Sequence, residues 1–189
     1  MIPDTHRCSS GEMLACMDVE QAAGLPQAAA DTAVVGQRRA YLVMCLLLLA
    51  QFVSGMFVNL FVQIPDHHPG AKPIAYFSGA ATSVSWALGH GGGFLTVHVA
   101  LGLALIVVGI AALVFALRVG GAGPLITAIV GFLAILGAAF NGASFLNYDE
   151  DLSSMIMAGC FAVALACYTI GLYQHSKPTV TPHNPHHAR

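Results

Sequence analysis

The sequence predicts an all-α integral membrane protein: a four-helix transmembrane bundle of two parallel hairpin repeats, with both termini cytoplasmic. Of its 189 residues, 57% are hydrophobic and only 8% are charged, and the mean hydropathy is +0.73. A soluble domain carries about 25% charged residues to cover its surface. Four apolar stretches also reach the roughly 20 residues that cross a bilayer. A glycine and asparagine motif that occurs twice then suggests the repeat.

The chain is expected to divide into three parts. Residues 1–37 form a polar, disordered cytoplasmic leader, residues 38–175 form the transmembrane domain, and residues 176–189 form a disordered tail rich in histidine and proline. The four predicted spans cover, approximately, residues 41–63, 94–117, 124–146 and 153–173.

The external loop, residues 64–93, is the longest predicted connection. Three prolines and a glycine in its first part exclude a continuous helix there. Its second part, Ser78 to Leu88, could form a short helix that lies at the membrane interface. Trp86 and Tyr76 suit the headgroup region, where an amphipathic ring has one wet end and one apolar end.

The basic residues predict the orientation, because positively charged loops stay on the cytoplasmic side. They fall before the first span, between the second and third, and after the fourth: Arg7, Arg38, Arg39, Arg118, Lys177 and Arg189. The opposite loops contain only Lys72 as a base. We therefore expect a multi-pass protein of the bacterial cytoplasmic membrane with both termini inside. The net charge of −2 gives no indication of a nucleic-acid partner.

A G-x-x-x-N element in the first span, Gly55 to Asn59, recurs in the third span as Gly137 to Asn141. The following span of each pair contains a second spaced glycine, in the segments 98–102 and 155–159. This pattern predicts a duplicated helical hairpin. The duplication would place His98 and Met155 at equivalent, facing positions in the membrane.

Polar side chains within a membrane normally face the bundle interior, because hydrocarbon offers them no hydrogen bonds. In the first span, polar and small residues recur every four positions and form a stripe along one face: Gln51, Gly55, Asn59 and Gln63. One interpretation is therefore purely structural. The glycines let the helices approach closely, the asparagines bond across the interface, and His98 is hydrogen-bonded to Asn59 or Asn141.

A second interpretation is a haem b site, because an iron atom between helices needs axial ligands from opposite sides. His98 would supply an imidazole and Met155 a thioether, and Met157 is the weaker thioether candidate. The remaining expected site residues would bond His98 or the haem edge, or would line the macrocycle: Asn59, Asn141, Gly55, Gly102, Gly137 and Gly159.

Three histidines of the external loop form a further candidate site. His67, His68 and His90 lie on the outer side and could bind a metal ion or collect protons near the membrane surface. The composition of the loop favours the alternative that these histidines are solvated and bind no metal, because they lie on a mobile segment rich in glycine and proline.

The spacing of these features resembles one four-helix half of the haem A synthase family. The resemblance covers roughly Tyr41 to Tyr173 and includes a G-x-x-V element at Gly55, a long external loop and a histidine in the outer half of the second span. It implies a pseudo-twofold bundle that holds haem near the outer surface, with His98 at a ligand position. Met155 stands where that family has its second histidine, and the external loop lacks the family's cysteine pair.

Two functions are consistent with these patterns. The first is a small membrane redox protein that binds haem b and handles electrons near the outer surface. The second is a cofactor-free accessory or assembly subunit, whose external loop and G-x-x-x-N faces engage a larger membrane complex or another copy of the chain. A transporter is disfavoured because no carboxylate or basic residue lies within the spans. The lipid bilayer is the one partner common to both.

Overall fold

The computed structural model describes the backbone of residues 12–148 and 151–174 and the side chains of residues 31–148 and 152–174. The outer parts of the predicted leader and the predicted tail, 176–189, lie outside the described residues. Five helices follow one another along the chain: α1 Glu12–Phe61, α2 Tyr76–His90, α3 Gly92–Val119, α4 Ala122–Tyr148 and α5 Asp151–Gln174.

Four helices are long and apolar enough to cross a membrane, as the sequence predicts. They cover Asp31–Phe61, Gly92–Val119, Ala122–Tyr148 and Leu152–Gln174, with mean hydropathies between 2.0 and 2.9. α1 extends further toward the N-terminus than the predicted span, and its backbone is helical from Glu12, where the composition favoured a disordered leader. The alanines of that stretch are strong helix formers, which accounts for the longer helix.

The spans pack in the cyclic order α1, α3, α4, α5, with α5 closing against α1. The most extensive contacts join α1 to α3 and α4 to α5. α2 is too short to cross a bilayer and packs against α3 and α4 at one end of the bundle. We call that end the cap end and the opposite one the far end. The predicted repeat and the membrane orientation stay predictions.

Small residues let the helices approach closely in the half of the bundle toward the far end. Its core combines two buried tyrosines with alanines and aliphatic side chains: Tyr41, Met44, Leu48, Leu105, Ala112, Ala116, Ala128, Ile135, Ala164 and Tyr168. The ring of Tyr41 packs directly onto Gly171, and the ring of Tyr168 lies 3.0 Å from where a Cβ atom at Gly131 would be. The aromatic rings of this core therefore depend on glycines in the facing helices.

The cap comprises residues 62–90, which are an irregular strap, residues 62–75, followed by α2. The strap is folded against α2, because Gly70 packs on Ser83 and Pro73 packs on Gly79. Gly70 has a φ of 95° and therefore adopts a conformation that side chains rarely allow. The expected short helix over Ser78 to Leu88 is confirmed, and it is two residues longer at each end.

Candidate functional site

His98 lies at the α1–α3 interface, within the membrane-spanning part of the bundle. Its Nδ1 is 3.0 Å from Ser54 Oγ, and its Nε2 is 3.1 Å from Gln51 Nε2. An amide nitrogen only donates, so Gln51 donates to Nε2, and the proton of a neutral imidazole then sits on Nδ1. Ser54 Oγ accepts a hydrogen bond from that N–H and donates its own proton to the backbone carbonyl oxygen of Gln51, 3.0 Å away. Both ring nitrogens therefore have protein partners.

Two of the predicted glycines make room for this group. A Cβ atom at Gly55 would lie 3.1 Å from His98 Cε1, and one at Gly102 would lie 3.5 Å from Gln51 Nε2. Gly55 thus has a specific purpose, since a side chain there would press on the imidazole ring.

The two asparagines of the G-x-x-x-N elements are not the partners of His98. Asn141 Nδ2 donates to the carbonyl oxygen of Gly137 in its own helix, at 2.8 Å. Asn59 is exposed on the surface of α1. Residues spaced by four shift about 40° around a helix at each step, so the stripe that begins at Gln51 has left the interface by Asn59.

The sequence did not single out Ser54 as a partner for His98, and it gave Gln51 only as part of a polar stripe. Ser54 lies three residues after Gln51 and therefore on nearly the same helical face. That spacing, together with a histidine in the adjacent span, is the signal that could have identified the network. The Gln51 carbonyl oxygen Oε1 is buried and has no hydrogen-bond partner among the described residues.

Met155 does not join His98. Its side chain is 67% exposed on the outward side of α5, and the backbones of α5 and α3 are not in contact within the described part of the chain. Gly159, one turn further, has open space at its Cβ position. The methionine that points inward is Met157, whose Sδ lies 3.2 Å from where a Cβ atom at Gly142 would be. Gly137 faces Cys160, whose Sγ lies 3.1 Å from where a Cβ atom at Gly137 would be.

These positions do not fit a haem. An axial imidazole needs a free ring nitrogen directed at the iron, whereas Ser54 and Gln51 occupy both nitrogens of His98. The predicted thioether faces away from the bundle, and Gly55 closes against the imidazole ring rather than leaving space for a macrocycle.

His68 is the most constrained side chain of the cap. Its Nδ1 lies 3.0 Å from the carbonyl oxygen of Pro69, and its Nε2 lies 2.9 Å from that of Leu146 in α4. The ring stacks on the indole of Trp86 in α2, with centroids 4.5 Å apart and planes 18° from parallel. His68 therefore joins the strap, α2 and the end of α4.

Asn147 also ties the cap to α4. It is buried, its Oδ1 accepts a hydrogen bond from Ser83 at 2.7 Å, and its backbone oxygen accepts one from the Lys72 N–H at 2.8 Å. Its Nδ2 has no hydrogen-bond partner among the described residues. Beside it lies a cavity of about 210 Å³, lined by Ile64, Pro65, Asp66, His68, Ala71, Lys72, Leu146, Asn147 and Tyr148.

The three loop histidines are not assembled into a metal site. His67 and His90 are exposed, whereas His68 is buried with both nitrogens at carbonyl oxygens. Within residues 31–148 and 152–174, no three His, Cys, Asp or Glu side chains come together as metal ligands would. The metal-binding interpretation of these histidines therefore gains no support from their positions.

We expect His68→Ala to loosen the cap, because it removes the ring that Trp86 stacks on and takes the imidazole away from the carbonyl oxygen of the buried Leu146. The loss of such contacts costs about 1–3 kcal/mol. Trp86 is the only tryptophan of the chain, so its emission reports on this position directly. It should shift to longer wavelength, and thermal unfolding in detergent should occur at lower temperature.

His67→Ala is the matched control for this substitution, because His67 is the neighbouring residue and its side chain is exposed. It should leave both the emission maximum and the unfolding temperature unchanged. Equal effects of the two substitutions would contradict the role given to His68.

No known protein family, no characterised protein and no solved structure matches this chain. The resemblance to haem A synthase therefore rests on spacing alone.

Proposed function

We propose that this polytopic membrane protein is a cofactor-free accessory subunit that packs against a transmembrane helix of a larger membrane complex. The observation that carries this proposal is the outward face of α5. Small residues are exposed there within the span: Ala158, Gly159, Ala162 and Ala166. Small residues at such spacing allow a second helix to approach closely in a membrane.

The other three spans present a different surface. Their exposed residues are mostly bulky and aliphatic or aromatic, as on α1 with Leu46, Leu49, Phe52 and Val53. Such a surface suits lipid chains. The glycines of the G-x-x-x-N elements are not available to a partner helix in the way the sequence suggested, since Gly55 and Gly137 face His98 and Cys160. In this proposal α5 is therefore the helix that contacts the partner.

The basic residues predict an orientation in which the cap lies on the outer side of a bacterial cytoplasmic membrane. The folded strap, held by His68 and Asn147, gives the accessory subunit a defined surface there. A rigid cap offers a partner a fixed shape at a lower entropic cost than a mobile loop would.

The test is purification of the tagged full chain from its native membrane in mild detergent, followed by native gel electrophoresis. We expect the wild type to migrate with a partner, and Gly159→Leu together with Ala162→Leu to release it. Ala100→Leu is the control, because Ala100 is exposed on α3, outside the proposed face. Migration as an unaccompanied chain, or loss of the partner in all variants alike, would overturn the proposal.

A haem b redox protein is the competing proposal, and it rests on the presence of one imidazole, His98, inside the membrane-spanning part. An absorption spectrum of the purified protein, produced with an adequate haem supply, separates the two. The accessory function predicts no Soret band. A band of near-stoichiometric intensity that disappears in His98→Ala would favour haem and would require the His98 network to open.

A further inference from the structure

α2 is an unusually apolar helix for a segment outside the spans. It has 15 residues, too few to cross a bilayer, and the chain from Pro73 to Gly89 contains no Asp, Glu, Lys or Arg. The charged and histidine side chains of the cap lie instead on the strap and at the other end of α2: Asp66, His67, His68 and Lys72 on the strap, and His90 on α2. The polarity of the cap is therefore divided between its two ends.

Hydrogen bonds to α4 establish how deep each part of α2 lies. Ser83 donates to Asn147, one residue before the end of α4. Tyr76, in the first turn of α2, donates to the carbonyl oxygen of Phe140 at 2.7 Å and lies 3.0 Å from Ser144 Oγ. Phe140 precedes Tyr148 by eight residues, about 12 Å along a helix. The Tyr76 hydroxyl thus lies well below the end of the bundle, and the Tyr76 ring lies beside the last two turns of α4, with centroids 4.6 Å from Phe140 and 6.5 Å from Tyr148.

The length of α4 allows that depth to be compared with the thickness of the bilayer. Its 27 residues extend about 40 Å, which exceeds the hydrocarbon core of about 30 Å by roughly 5 Å at each end. The carbonyl that Tyr76 contacts therefore lies about 7 Å inside the hydrocarbon boundary on this estimate. The Tyr76 side chain therefore reaches the level of the acyl chains.

The side chains at this depth suit hydrocarbon. Ile74 and Phe77 point away from the protein and are 109% and 79% exposed. Exposing two large apolar side chains so fully to water is unfavourable for a short loop. The hydroxyl groups nearby bond back to the chain: Ser78 donates to the Ala75 carbonyl oxygen, and Thr82 donates to that of Ser78. These groups therefore lose little when water is excluded.

We propose that residues 73–77 insert into the lipid leaflet at the cap end, with Ile74 and Phe77 among the acyl chains. The Tyr76 ring holds the segment at this depth, because it stacks on Phe140 with centroids 4.6 Å apart while its hydroxyl bonds to α4. The cap is then a partly immersed wedge against α3 and α4, and the polar part of its strap, residues 62–72, remains at the membrane surface with the last turns of α2.

Photocrosslinking tests this inference in the full chain in its native membrane. Phe77→p-benzoylphenylalanine places a reactive ring at the proposed depth, and Ser85→p-benzoylphenylalanine is the control, because Ser85 is exposed two turns further along α2. After irradiation, mass spectrometry of the purified protein should detect a phospholipid adduct at position 77 at several times the yield at position 85.

Two results would overturn the inference. One is an adduct at position 77 with a second protein or a second copy of this chain, which would mean that a protein covers this surface. The other is the absence of a lipid adduct from a variant that elutes from gel filtration as the wild type does. Ile74→p-benzoylphenylalanine provides a second position, should the variant at Phe77 fail to fold, and the same two results apply to it.

Discussion

Gly171→Ala is expected to lower the free energy of unfolding by about 1–3 kcal/mol, because an added methyl group would overlap the ring of Tyr41. That ring cannot retreat easily. It is fully buried, and its hydroxyl donates to the carbonyl oxygen of Pro124 in α4 at 2.9 Å. The collision should therefore separate α1 from α5. Unfolding of the detergent-solubilised protein by SDS titration measures the change.

Gly159→Ala is the matched control for Gly171→Ala, since it adds the same methyl group to the same helix. Its Cβ atom would enter open space, and alanine is favoured over glycine in a helix by about 1 kcal/mol. The monomer should therefore be unchanged or slightly more stable. A destabilisation of Gly159→Ala equal to that of Gly171→Ala would contradict the packing described for α5.

His98→Ala should destabilise the bundle by about 1–3 kcal/mol, because it leaves the buried polar groups of Gln51 and Ser54 without their shared partner. Met155→Ala should change stability by less than about 0.5 kcal/mol, since its side chain faces away from the bundle. The measurement is the same SDS titration applied to both variants.

The pair of substitutions also distinguishes the packing function of His98 from the haem function. If His98 and Met155 ligated one iron, both variants would lose the bound cofactor and the stability it confers. A large effect of Met155→Ala would thus contradict the outward position of that side chain. Coupling between Gln51→Leu and His98→Leu in a double-mutant cycle, expected near 0.6 kcal/mol for a membrane hydrogen bond, would show directly that the two residues interact.

The location of the spans could be predicted closely because it depends on composition alone. A run of about 20 apolar residues has no stable alternative to a membrane helix, and the four runs give four helices at nearly the expected positions. The short helix after the strap was predictable for the same kind of reason, since Pro65, Pro69 and Pro73 confine it to the second half of the loop.

The identity of the partner of each polar side chain was less predictable. The sequence placed His98 near Asn59 or Asn141, but the imidazole bonds to Gln51 and Ser54 instead. The stripe of residues spaced by four on α1 predicted an inward face correctly at Gln51 and Gly55. By Asn59, however, the same spacing has turned away from the interface. Sequence spacing gives the direction of a side chain around its own helix, and it gives neither the rotation of the neighbouring helix nor its vertical offset.

Local hydrophobicity and chain stiffness were enough to predict the class of the protein, the number of spans and a short helix between the first two. The outward position of Met155, the attachment of the cap to α4 through His68 and Asn147, and the depth of the Tyr76 hydroxyl follow from the tertiary packing. These features depend on the rotation and axial shift of each helix against its neighbours, which bring aromatic rings onto glycines. Residues far apart in the chain jointly determine that packing, so local sequence cannot predict it.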